Sequence, residues 1–214
     1  MKKEEINPVQ YQKILEHIMK ALTTHGLKAT TMDSIASSLQ MSKRTIYEIF
    51  GSKEEMFREA HSFLHNKMSE HLKDIFENSN NIMEAIIKSF LYNRDMMSSV
   101  SAEFIRDIHQ FSNKNLKNNP ELKNLHHHAL YEVLERGVKE GYFRSDLNLD
   151  VQCKMLSIQM EALKQTEELF PPDISLIDIF DNVMLVFLRG ISTLKGLEEI
   201  DRYMANLPKS SNIS

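Results

Sequence analysis

Residues 30–57, TTMDSIASSLQMSKRTIYEIFGSKEEMF, leave the backbone little freedom. Thr31 stands where it can cap a helix in which Ile35, Ala36 and Leu39 recur at helical spacing. Gln40-Met41 makes a turn, and Ser42 caps a second helix over Lys43–Phe50. Gly51 ends that helix, and Ser52-Lys53-Glu54-Glu55 reads as a capping box opening a third. Small Ala36 lets two helices cross closely, while Ile35, Leu39, Met41, Ile46 and Ile49 or Phe50 fill the space between them. That is the apolar pattern of a helix-turn-helix, whose second helix enters the DNA major groove. Lys43 and Arg44 sit at the N-terminus of that helix, where base edges are usually read, with Thr45, Tyr47 and Glu48 on its solvent side. Lys53 opens the following helix, where exposed N–H groups already favour a phosphate. An ordinary pair of core helices with a solvated basic face would share part of this pattern.

The stretch resembles the DNA-binding domain of the TetR (tetracycline repressor) family of bacterial transcriptional regulators. Thr31, Ile35, Ala36, Ser42, Thr45, Tyr47, Phe50, Lys53, Glu54 and Phe57 carry the resemblance. It implies that Thr31, Thr45, Tyr47 and Lys53 hold phosphates, that Lys43, Arg44 and Glu48 face bases, and that the protein is a dimer. Gln40 departs from the pattern, since the family often has Gly in the turn. A non-Gly residue in the left-handed region costs roughly 1 kcal/mol, so a slightly strained turn is expected.

The 214 residues suffice for one large or two modest domains. Six glycines, five prolines and no Val/Ile/Thr-rich alternating runs point to an all-α chain. The net charge of −4 excludes a generally basic DNA-coating protein. Residues 1–60 hold nine Lys and Arg against eight Asp and Glu, so the acidic excess lies beyond them. Attraction to DNA must therefore be local, and a dimer would double it. The lone Cys153 excludes an internal disulfide and suits a reducing compartment. MKKEEINPVQ lacks a signal-peptide apolar core, and Val183–Leu188 is far too short to span a membrane. A cytoplasmic location with no membrane partner is expected.

The first helix spans about 9–25, with Ile14, Leu15, Ile18, Met19 and Leu22 on one face and Gly26 ending it. From Lys53 a helix continues to about Asn78; at roughly 38 Å it is long enough to join two domains. Further helices are expected over about 82–100, 102–113, 121–141, 149–169, 174–194 and 196–206. Gly141–Asp146 forms a turn resembling one common in the same family. The helix containing VMLVFL is apolar nearly all round and must be covered on every side. A second copy is the expected cover, giving a two-fold four-helix interface that includes Met155, Ile158, Ile177, Phe180, Met184, Phe187 and Ile191.

The expected division is therefore a three-helix helix-turn-helix DNA-binding domain over 1–53, a larger helical ligand-binding and dimerisation domain over 54–208, and a loose tail over 209–214. Thirteen methionines and eleven phenylalanines favour an adaptable pocket for a lipophilic or amphipathic effector. Its expected lining is Phe63, Met68, Phe90, Met97, Phe104, Ile108, Phe111, Met155 and Gln159. His61 and His65 lie one helical turn apart without a third ligand, and consecutive His126, His127 and His128 point to different sides of a helix. No metal and no cofactor is expected. No Gly-rich phosphate loop, G-x-S-x-G, H-E-x-x-H or CxxC is present, so no catalytic residue is named. The expectation is a homodimeric repressor that binds a palindromic operator and is released by a small molecule. An activator or ligand-independent regulator of the same fold, or a helical interaction protein without DNA binding, are the alternatives.

Overall fold

A computed structural model describes residues 6–101, 103–105, 107–108, 120–163, 169–171 and 173–205. Nine helices can be named within them: α1 Pro8–Ala29, α2 Met32–Ser38, α3 Lys43–Phe50, α4 Lys53–Asn78, α5 Ile82–Ser98, α6 Pro120–Lys139, α7 Leu149–Ala162, α8 Leu176–Ile191 and α9 Leu194–Ala205. Residues 103–105 and 107–108 are also helical. No strand occurs among the described residues; the one extended pairing is a bridge between Phe143 and Ser192. No helix among them is long and apolar enough to cross a membrane. The loose tail expected over 209–214, and Phe111, lie outside the described residues.

Helix starts are fixed by side chains that accept otherwise orphaned N–H groups. Asn7 caps α1 through Val9 N, Asn148 caps α7 through Val151 N, and Ser175 caps α8 through Asp178 N. Several bounds differ from expectation. Helix α8 begins at Leu176, after its Ser175 cap, and stops at Ile191, because Ser192 is extended and pairs with Phe143. The last helix accordingly opens at Leu194. Helix α7 closes at Ala162, and residues 164–168 of the helix expected to reach Leu169 lie outside the described residues.

The chain packs as two units. The first contains the residues up to Lys73 and a second passage, Met96–Asn115; the other contains Asp74–Asp95 and the chain from Leu116 onward. The first unit's apolar cluster is built from Ile14, Leu15, Ile18 and Leu22 of α1, Met32, Ile35 and Ala36 of α2, Ile46, Ile49 and Phe50 of α3, Met56, Phe57 and Ala60 of α4, and Phe104.

In the second unit, Ile82, Met83 and Ile87 of α5 meet Leu134, Phe143, Cys153, Leu156, Phe187, Leu188, Ile191 and Ile200. Gly141 closes α6 at φ 77°, a left-handed position that allows its N–H to reach Val138 O while Tyr142 N reaches Gly137 O. Phe90 stacks on Phe180 at 5.5 Å, beside a largely buried ion pair in which Arg94 Nε donates to Asp181 Oδ2 at 2.8 Å. Burial pushes the Cys153 thiol up, in keeping with a packing residue.

Candidate nucleic-acid interface

The expected helix-turn-helix is assembled by local hydrogen bonds. Thr31 Oγ1 accepts from Ser34 N, and Ser34 Oγ accepts from Thr31 N, both at 3.0 Å, so α2 opens on a reciprocal capping box. It closes on a Schellman arrangement: Met41 N donates to Ala36 O at 2.9 Å and Gln40 N to Ser37 O at 3.1 Å. The residue that must turn left-handed there is Gln40, at φ 54°. Ser42 then caps α3, its Oγ accepting from Thr45 N at 3.0 Å and pairing with Thr45 Oγ1 at 2.7 Å. Ser52 Oγ accepts from Glu55 N at 3.1 Å and opens α4.

Helix α3 buries Ile46, Ile49 and Phe50, which are 0–4% exposed. Helical periodicity turns Lys43, Arg44, Tyr47 and Glu48 the other way. The Arg44 side chain is 88% exposed and Tyr47 43%. Both cations are already paired: Lys43 Nζ with Asp33 Oδ2 at 2.8 Å, and Arg44 Nε with Glu48 Oε1 at 2.8 Å. These carboxylates hold the Lys43 and Arg44 pKa values above their ordinary levels, so both stay charged at neutral pH. Lys53 Nζ donates to Lys28 O at 3.3 Å, tying the start of α4 to the end of α1. Thr31, Ser42, Lys43, Arg44 and Glu48 are exposed, and Thr45 and Lys53 partly so. All eight residues expected to meet DNA belong to the first unit.

Two features of this unit had no signal in residue spacing. Asp33 reaches Lys43 across the turn, and a cleft of about 410 Å³ opens between α1 and α2, lined by His17, Lys20, His25, Thr30, Ser34 and Ser38 among others. His17 Nε2 and Ser38 Oγ are hydrogen-bonded at 2.8 Å. Among the described residues no group of three or more His, Cys, Asp or Glu side chains is placed to hold a metal ion. Burial, and the neighbouring His65, lower the His61 pKa.

The residues expected to line an effector pocket are divided between the units. Phe104 is 2% exposed inside the first unit's core, and Phe63 and Ile108 pack against that core. Met68 and Met97, both half-buried, also lie in the first unit, while Phe90 and half-buried Gln159 lie in the second. Gln159 Oε1 and Ser89 Oγ are buried and accept no hydrogen bond among the described residues. Met155 is 48% exposed.

The residues expected at a dimer interface divide similarly. Phe180, Phe187 and Ile191 are buried within their own unit, and Ile177 and Met184 are half-buried. The VMLVFL helix is thus covered on one side by its own chain. Its uncovered side carries Val186, 69% exposed, and α7 exposes Val151, Met155 and Ile158 in a line.

Comparison with known proteins places this geometry. Residues 14–60 match the model of bacterial regulatory proteins of the tetR family. The HTH-type transcriptional repressor KstR2 of Mycobacterium tuberculosis is 28% identical over 149 residues, covering 67% of this chain and 74% of that one. The HTH-type transcriptional regulator YhgD of Bacillus subtilis is 30% identical over 134 residues, covering 63% of this chain and 65% of that one. In fold, the solved structure of the ketosteroid transcriptional regulator KstR2 matches with a TM-score of 0.57 at 21% identity, over 88% of this chain and 97% of that one. A gamma-butyrolactone receptor matches with a TM-score of 0.63 at 12% identity, over 91% of this chain and 96% of that one.

Proposed function

This chain belongs to the TetR family of bacterial transcriptional regulators, and from that premise we propose that it is a homodimeric repressor of a palindromic operator, released by a lipophilic or amphipathic small molecule. It acts in the cytoplasm and catalyses no reaction. The observation that carries the reading is α3: a capped helix whose Ile46–Ile49–Phe50 side is sealed while Lys43, Arg44, Tyr47 and Glu48 face outward. Thr31, Ser42, Thr45, Tyr47 and Lys53 hold phosphates and set the register; Lys43, Arg44 and Glu48 meet base edges.

The dimer forms through the uncovered apolar line Val151–Met155–Ile158 of α7 and Val186 of α8. One turn and then nearly another separate the first three, so they make a continuous stripe that a two-fold copy can cover with its own. Two recognition helices then meet successive major grooves, roughly 34–36 Å apart or a multiple of that. The effector binds the second unit, which holds Phe90, Met155 and Gln159 of the expected lining. Phe63, Phe104 and Ile108 serve the first unit's core instead. Proteins of similar fold include ones named for ketosteroids and gamma-butyrolactones, which agrees with a largely apolar ligand here. An effector that fits one setting of the second unit better than another weakens operator binding by its differential affinity for the two.

The test is a fluorescence-anisotropy titration on a duplex selected from a random-sequence pool. Tyr47→Ala and Lys53→Ala should weaken binding to every sequence and reduce the salt slope. Arg44→Ala should instead change base preference at one position, by ~1–3 kcal/mol. Wild-type behaviour in all three variants would refute the assignment of α3 to the groove.

A further inference from the structure

Helix α1 breaks at Gly26, with φ 75° and ψ 169°, and the break is packed against rather than left open. A methyl group at Gly26 would lie 2.9 Å from Glu103 Cβ and 3.1 Å from Asp107 Oδ2. Both the backbone angle and the close approach therefore require glycine. Asp107, 8% exposed, accepts a hydrogen bond from Leu27 N through Oδ2 at 2.5 Å. Ser101 N donates to Thr23 O at 2.8 Å, and Phe104 and Ile108 enter the apolar cluster that α1, α2 and α3 share. The second passage of the chain through the first unit is thus built into the end of α1.

That end leads directly into the helix-turn-helix. Gly26 O accepts from Thr30 Oγ1 at 2.8 Å and from Thr30 N at 3.3 Å. Lys28 O accepts from Lys53 Nζ, and Thr31 caps α2. Six residues, 26–31, therefore join Asp107, the start of α2 and the start of α4. The residues on either side of the second passage, 74–95 and those from 116 onward, belong to the other unit.

We infer that Asp107 is a positioning residue for DNA binding: its bond to Leu27 fixes the α1–α2 junction, and so the placement of Thr31 and Lys53. The inference rests on the reading of the first unit as a DNA-binding domain. A carboxylate suits this task. The non-helical angles at Gly26 interrupt the regular helix just before Leu27, and a bond from its N–H to a charged group is stronger than one to a neutral amide.

Asp107→Ala and Asp107→Asn, in the full chain, separate the possibilities. Amide exchange followed by NMR should show Leu27 losing protection in Asp107→Ala while Ile18 and Leu22 keep theirs. Affinity for the selected duplex should fall about tenfold in Asp107→Ala, and stay within about threefold of wild type in Asp107→Asn, which retains an acceptor oxygen. An unchanged Leu27 exchange rate in Asp107→Ala would show that the bond does not hold the junction. A freed Leu27 with undiminished duplex affinity would reduce Asp107 to a local cap. A wild-type protein that selects no duplex from the pool would instead remove the DNA-binding reading, before any variant is made.

Discussion

Replacing Gln40 by Gly should stabilise the protein, although Gly usually weakens the structure it enters. Gln40 holds φ 54° at the close of α2, and its side chain is exposed. An L-residue in the left-handed region costs about 1–2 kcal/mol, because its Cβ crowds the following carbonyl. Gly removes that cost but adds about 0.5–1 kcal/mol of chain entropy to the unfolded state. No packing is lost, and the Met41–Ala36 and Gln40–Ser37 bonds are backbone bonds that survive the change. The net gain should be about 0.5 kcal/mol, a rise of about 1–2 °C in Tm for a chain of this length. Urea unfolding followed by far-UV circular dichroism, at fixed protein concentration so that mass action from a dimer cancels, measures it. Gln40→Ala keeps the crowded Cβ and should gain nothing, whereas Gln40→Asn should fall between, since Asn tolerates the region best among residues with a side chain. An Ala variant as stable as the Gly variant would refute the reasoning, because the strain would then not lie in the Cβ.

Met155→Glu combined with Ile158→Glu should convert the proposed dimer to a monomer in sedimentation velocity while changing protomer stability by no more than about 0.5 kcal/mol, both sites being exposed; a persisting dimer would place the interface elsewhere. Glu84 is held at about 2 by Lys88 first and then by the Asn80 side-chain and backbone amides, against the opposing effect of burial. Its folded pKa lies below the ordinary 4.5, so its stabilisation is complete above that value and fades as pH falls towards 2. The stability gap between wild type and Glu84→Gln should therefore narrow over that window, and a gap that stayed constant through it would show that the ionised form is not what stabilises. Asp33→Asn should strengthen binding to any duplex about two- to fivefold by freeing Lys43 from an exposed pair worth ~0.2–1 kcal/mol; weaker binding in an anisotropy titration would mean that Asp33 orients Lys43 instead.

What could be read in the sequence was what neighbouring residues decide among themselves. The bounds of α3, the caps at Thr31, Ser42 and Ser52, the break at Gly26 and the awkward Gln40 each depend on five or six consecutive residues. Periodicity also identified the apolar face of the N-terminal helices, but it carries no information about which neighbour covers that face. Phe104 and Ile108 read as pocket lining and serve the first unit's core; Phe180, Phe187 and Ile191 read as a face for a second copy and are buried by their own chain. The bond from Asp107 to Leu27 joins residues 80 apart, and no local pattern announces such a pair. Gly26 shows both limits at one position. Its role as a helix breaker was visible in the sequence; the carboxylate oxygen lying 3.1 Å from where its Cβ would be was not.

The recognition helix carries its own counter-charges, and this shapes what DNA binding can gain. A DNA group that takes Lys43 from Asp33 exchanges one polar partner for another, so such a contact adds little to affinity. The whole chain is acidic, at −4, and its first sixty residues carry only one excess positive charge. Long-range attraction is therefore weak, and the protein has no means of coating arbitrary duplex at physiological salt. In the proposed complex, affinity comes from several short contacts made at once: phosphates at Thr31, Ser42, Thr45, Tyr47 and Lys53, bases at Lys43, Arg44 and Glu48, and all of these again in a second copy. Contacts that are individually weak and jointly required are sensitive to small displacements, because an error of about 1 Å at one helix start breaks hydrogen bonds whose useful range is only about 2.7–3.2 Å. A regulator built in this way needs no large motion to let go of its operator. On the proposed reading a shift of the junction at residues 26–31 suffices, and that junction is where Asp107 and Lys53 both take hold.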